Sequence, residues 1–111
     1  MTAADTPETT FRVVIEIELA ADDTARFERL WLTIADEVAG VEGCRGQWLL
    51  RHRHRADTLV IMSDWLDEAA FHRFEQGPVH ARHREFIRPI RTGGSFSAAY
   101  VLHHRPADVS A

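Results

Sequence analysis

Residues 47–65 read QWLLRHRHRADTLVIMSDW. Residues 47–54 and 58–65 are strand-like runs rich in Leu, Val, Ile and Trp, and Arg55-Ala56-Asp57 supplies a turn between them. On the second run Leu59, Ile61, Ser63 and Trp65 share one face, while Val60, Met62 and Asp64 share the other. This hairpin decides the fold, because a strand-helix pair precedes it and a helix-strand pair follows.

Upstream, residues 10–19, TFRVVIEIEL, alternate. Phe11, Val13, Ile15, Ile17 and Leu19 form an apolar side, opposite Arg12, Val14, Glu16 and Glu18. Asp22 or Asp23 is placed to cap the helix that follows. Its stripe is Phe27, Leu30, Trp31, Ile34 and Val38, and Gly40 is expected to close it as the C′ residue. The loop VEGCRG leads into the hairpin. Downstream, Asp67 caps a second helix with Phe71 and Phe74 on its apolar side, and Gly77 stops it. Pro78 suits the first turn of a further helix, with Val79, His83, Phe86 and Ile90 in line. Gly93-Gly94 is expected to break the chain before a last strand, residues 95–104, with Phe96, Ala98, Tyr100 and Leu102 on one face.

The order β-α-β-β-α-β predicts an α+β, ferredoxin-like domain over residues 10–104: a four-stranded antiparallel sheet with helices on one face. Residues 1–9 and 105–111 read as tails. A chain of 111 residues is one domain, and its net charge of −4 leaves no basic footprint for nucleic acid. The single cysteine, Cys44, excludes an internal disulfide and fits a cytoplasmic setting. No run is long and apolar enough to span a membrane, and the polar N-terminus is not a signal peptide.

On a strand, His52 and His54 face one way, and Arg51, Arg53 and Arg55 the other. Two histidines without a companion ligand do not make a metal site. His52, in line after Trp48 and Leu50, is placed either at a pocket edge or at a solvated strand end. The sheet face away from the helices is expected to carry Val14, Val60 and Met62 among Arg12, Glu16, Glu18, Asp64, Arg51 and Arg53. Apolar residues amid balanced charge predict a homodimer joined through the sheets.

Three stretches carry a family resemblance: Phe27 to Trp31, VEGCRG at 41–46, and SDWLDEAAFHRFEQGPVH at 63–80. They resemble the antibiotic biosynthesis monooxygenase superfamily, dimeric α+β barrels of ferredoxin-like protomers. GQWLLR, SDWLDEAAF and the HH at 103–104 are similar to a narrower branch, the SchA/CurD-like proteins of aromatic polyketide and spore-pigment clusters. The resemblance implies a monooxygenase that oxidises an anthrone or phenol to a quinone with O2 and no cofactor. It also leaves two other functions open, a non-catalytic polyketide chaperone and a haem-degrading enzyme. The chain departs from the family pattern in having no Asn, and in placing Phe74 where many members carry a mid-helix His.

With this expectation the leading catalytic candidates are Trp65, His83 and His52. Trp65 is either a pocket wall whose indole N–H meets a substrate oxygen or an ordinary core residue. His83 interrupts an apolar stripe, as a base or a satisfied core histidine would. Trp31, Trp48, Ser63, Phe71, Phe74, His80, Phe86 and Tyr100 are the candidate lining of a substrate pocket. Arg84 and Arg88 are placed on a solvated helix face, from which one can close over an acidic or phenolate substrate.

Overall fold

The computed structural model describes residues 9–109. The expected N-terminal tail lies almost wholly outside the described residues, as do the last two residues of the C-terminal one. Eight elements follow one another: β1 (Thr10–Leu19), a 3-10 turn (Ala21–Asp23), α1 (Thr24–Ala39), β2 (Cys44–Arg51), β3 (Thr58–Trp65), α2 (Glu68–Glu75), α3 (Pro78–Ile87) and β4 (Arg91–Val101). The strands form one antiparallel sheet in the order β2-β3-β1-β4. This is the ferredoxin-like arrangement expected from the element order.

The alternation of β1 does what its sequence implies. Val13, Ile17 and Leu19 are buried against the helices, and the register sets Ile15 beside Ile61 and Phe11 beside Trp65. Two clusters fill the space under the helices. One joins Phe11, Val13, Ile34, Val38, Trp65, Ala70 and Phe71. The other joins Ile17, Leu19, Phe27, Leu59 and Ile90. Each large side chain so buried contributes about 1.5–3 kcal/mol to folding.

Several local expectations need correction. Asp23 precedes α1 but its side chain makes no capping hydrogen bond; the 3-10 turn delivers the chain into the helix instead. Gly40 is the C-cap with helical backbone angles, and the left-handed residue is Gly43, φ 93°. A Cβ there would meet the Ala70 Cβ at 2.6 Å, so the loop and α2 pack too closely for a side chain. Gly93-Gly94 lies inside β4 rather than before it. Gly94 has φ 149°, and a Cβ would fall 2.1 Å from the Glu16 carbonyl oxygen. The pair therefore carries the strand past a register shift opposite Glu18 and Leu19. Asp67, by contrast, caps α2 as expected: its carboxylate accepts from the Ala70 N–H at 2.8 Å.

The far face of the sheet also differs from expectation, through the register of β2. Leu49 pairs with Ile61 and Arg51 with Leu59, so both belong to the helix side. Trp48 pairs with Met62 and Leu50 with Val60, so these two join Val14 on the far side. Arg12 and Asp64 form a two-pronged ion pair there, at 2.7 and 2.9 Å, and the Arg12 guanidinium lies 5.6 Å from the Trp48 ring centroid. Arg55 reaches Glu16 at 2.8 Å.

Candidate active site

Between the sheet and the helices lies a cavity of about 570 Å³. Its floor is Val13, Ile15, Ile17 and Ile61, and its walls include Trp31, Trp65, Phe71, Phe74 and Phe96. A space of this size and lining suits a small aromatic molecule. Trp65 is central to it, with 1% of its surface exposed. Its ring stacks on Phe74 at 4.9 Å and meets the Phe71 edge at 5.7 Å. The Trp65 indole N–H donates to the Ser63 hydroxyl oxygen at 2.9 Å. The donor expected to meet substrate is therefore already used within the protein, and Ser63 presents its own O–H at the cavity wall instead.

Both histidines of α3 border the cavity, because three residues along a helix bring them to one side. They are not equivalent. His83, 4% exposed, is bonded through Nε2 to a Glu37 oxygen 2.9 Å away on α1. Glu37 also accepts from Arg82, and these bonds, His83 first and Arg82 second, hold its carboxyl below the ordinary carboxylate range. His83 thus ties α3 to α1.

His80 is different. Its Nδ1 is buried and has no hydrogen-bond partner among the described residues. Its ring stands edge-on to Phe74 at 5.2 Å. Burial above all, and then the positive charge of Arg84, lower its proton affinity below that of an ordinary histidine, against the opposing pull of the Glu75 carboxylate and backbone carbonyl. A neutral imidazole with an unclaimed nitrogen, at the wall of an aromatic cavity, is a group able to accept a proton.

Of the other expected lining residues, Trp31, Ser63, Phe71 and Phe74 border the cavity. Four positions do not. Trp48 lies on the far face of the sheet, half-exposed, because β2 enters with a register shift between Cys44 and Gly46. His52 lies past the end of β2, where its Nδ1 accepts the backbone N–H groups of His54 and Arg55, each at 3.1 Å. It shapes the hairpin turn. Phe86 is 51% exposed: the face of α3 that meets the cavity runs through His80, His83, Arg84, Ile87 and Arg88, about one residue round from the expected stripe. Tyr100 packs on Phe11 at 5.4 Å, and its hydroxyl donates to Glu68 at 2.7 Å, outside the cavity.

Gln47 escaped the sequence reading. It pairs with Ser63 across β2 and β3, borders the cavity, and donates through Nε2 to the Ala35 carbonyl at 2.9 Å. Strict alternation around the apolar Leu49 would have placed it there. Among the described residues no three His, Cys, Asp or Glu side chains are grouped to hold a metal ion. Among the described residues no helix is long and apolar enough to cross a membrane.

The sequence matches the model of the antibiotic biosynthesis monooxygenase family over residues 10–85. The chain belongs to this family. The matched span runs from β1 into α3 and includes Trp65, His80 and His83. No match was found among curated proteins. Solved structures with the same fold include SnoaB from Streptomyces nogalater, a cofactor-independent oxygenase. It has 23% identity and a TM-score of 0.75, over 89% of this chain and 99% of that one. The haem-degrader MhuD from Mycobacterium tuberculosis, solved with two haems in its active site, has 24% identity and a TM-score of 0.73, over 86% and 99%. A conserved protein from Methanosarcina mazei Go1 has 14% identity and a TM-score of 0.76, over 86% and 95%. At these identities the likeness is one of fold.

Proposed function

We propose that this family member is a cofactor-independent monooxygenase that oxidises a phenolic or anthrone-type aromatic polyketide to a quinone with O2. The observation that carries this reading is His80: an unpartnered buried ring nitrogen bordering an aromatic cavity. His80 takes a proton from the acidic ring C–H or phenol. The resulting anion is electron-rich and passes one electron to O2. Held together away from water, the radical and superoxide combine to a carbon-bound peroxide. Loss of the remaining proton on that carbon breaks the O–O bond and leaves a carbonyl and water. One CH2 and one O2 become one C=O and one H2O, so no outside reductant is needed. Ser63 and Gln47 offer polar contacts to the ring oxygens, and the aromatic walls hold the ring plane.

The same reading includes a homodimer through the far face of the sheet. Trp48, Leu50, Val14, Val60 and Met62 make an apolar patch there, framed by the Arg12–Asp64 pair, and an isolated sheet would leave it to water. A second reading, binding without turnover, draws on Phe74, which fills a position where the family often has a histidine. Oxygen uptake with a model anthrone, in metal-chelated buffer, tests the proposal. One O2 consumed per quinone formed supports it. Tight binding of the anthrone without uptake above the uncatalysed rate leaves the binding role in its place. A Soret shift on adding haem, followed by ring opening, would replace both.

A further inference from the structure

Three arginines border the cavity. Arg84 lies in the last turn of α3, Arg88 caps that helix one turn on, and Arg91 opens β4 just beyond it. All three residues are exposed at the rim. None has a carboxylate within ion-pair distance among the described residues; Arg29, Arg45, Arg51, Arg53 and Arg73 also lack one, but only Arg84, Arg88 and Arg91 border the cavity as well. Arg91 is oriented by its Nε, which donates to the Gly93 carbonyl at 3.1 Å and leaves its terminal nitrogens unengaged. The acidic group that borders the cavity, Glu75, sits 3.4 Å from His72. Elsewhere the chain has acid to spare, with 17 Asp and Glu against 13 Arg. A cationic rim on an apolar cavity is therefore a local feature, set against the charge of the whole molecule.

We propose that the rim formed by Arg84, Arg88 and Arg91 binds an anionic oxygen group, a carboxylate or its equivalent, carried by the aromatic body that the cavity takes in. The inference rests on the proposed function and names its substrate class: an aromatic acid rather than a neutral polyphenol. Guanidinium groups match such a group with paired N–H donors, and an apolar chamber behind them desolvates the ring. Binding also reaches the base. Arg84 is one of the charges that hold down the proton affinity of His80, so an anion seated on Arg84 raises it and strengthens His80 as an acceptor. The acid group would thus select the substrate and prepare the site for it.

Two fluorescent probes with the same ring body separate these ideas: 1-anilinonaphthalene-8-sulfonate, an anion, and N-phenyl-1-naphthylamine, which is neutral. Each is titrated into the intact protein and into the Arg84→Gln/Arg88→Gln variant, with Arg53→Gln on the hairpin as control. The proposal expects the sulfonate to bind roughly tenfold to a hundredfold more tightly than the amine, the size of effect that charged hydrogen bonds confer. The double variant should lose that preference, keep its affinity for the amine, and keep the circular dichroism of the parent. Equal affinity for the two probes, or a preference that survives in the double variant, overturns the anion site while leaving the cavity reading intact. Failure of both probes to bind overturns both.

Discussion

His80 and His83 show how one turn of helix separates a histidine with an open ring nitrogen from one tied to a neighbouring helix. His83 has its nitrogen on Glu37, so His83→Ala removes a tie between α3 and α1 and leaves Glu37 with Arg82 alone. His80 has nothing on Nδ1. Its proton affinity is lowered from the ordinary histidine value of 6.5, first by burial and then by Arg84. The folded chain therefore refuses a proton that the unfolded chain accepts. Stability should be full above pH 6.5 and fall as the pH drops below it, and His80→Gln should flatten that fall. Urea midpoints at neutral and mildly acid pH measure this. For a base that must be neutral, kcat/KM should hold its plateau to a lower pH than an ordinary histidine allows, since the proton affinity of His80 is lowered. Ser63→Ala strands the buried Trp65 N–H and should cost about 1–3 kcal/mol, read from the same urea curves.

At the scale of elements, most of the fold was legible because each apolar period was long and clean. The ten residues of β1 alternate, and the stripe on α1 buries Phe27, Ile34 and Val38 as its spacing implies. Asp67 was readable as a cap because it stands just before an apolar run; Asp67→Ala should lower stability by about 1 kcal/mol. What escaped was register. The shift between Cys44 and Gly46 decides which side of the sheet receives Trp48 and which receives Gln47, and local pattern does not encode a partner strand. The apolar spacing on α3 points about one residue away from the face that meets the cavity, because Phe86 looks like core while Ile87, Arg84 and Arg88 border the cavity. A Gly-Gly pair suggests a break in the chain, yet Gly94 keeps β4 continuous past a close backbone approach. Gly94→Ala forces a Cβ against the Glu16 carbonyl and should destabilise by about 1–3 kcal/mol, seen as a lower melting temperature.

At the scale of the molecule, one sheet serves two purposes. Its helix side supports the cavity, and its other side carries Trp48, Leu50, Val60 and Met62 toward the proposed second copy. Met62→Arg places a charge at the middle of that patch and should shift the protein to monomer in light scattering, with the cavity residues undisturbed. The site was legible only in part: a tryptophan closing a strand and two histidines on one helix could be picked out, but which histidine lacks a partner depends on Glu37, more than forty residues away in sequence. The proposed function rests on that difference. The rate of quinone formation from a model anthrone, compared between the parent protein and His80→Ala in chelated buffer, tests it most directly. A loss of about 10²–10⁴-fold in kcat with the fold intact is the predicted result. Equal rates in the two proteins would contradict it.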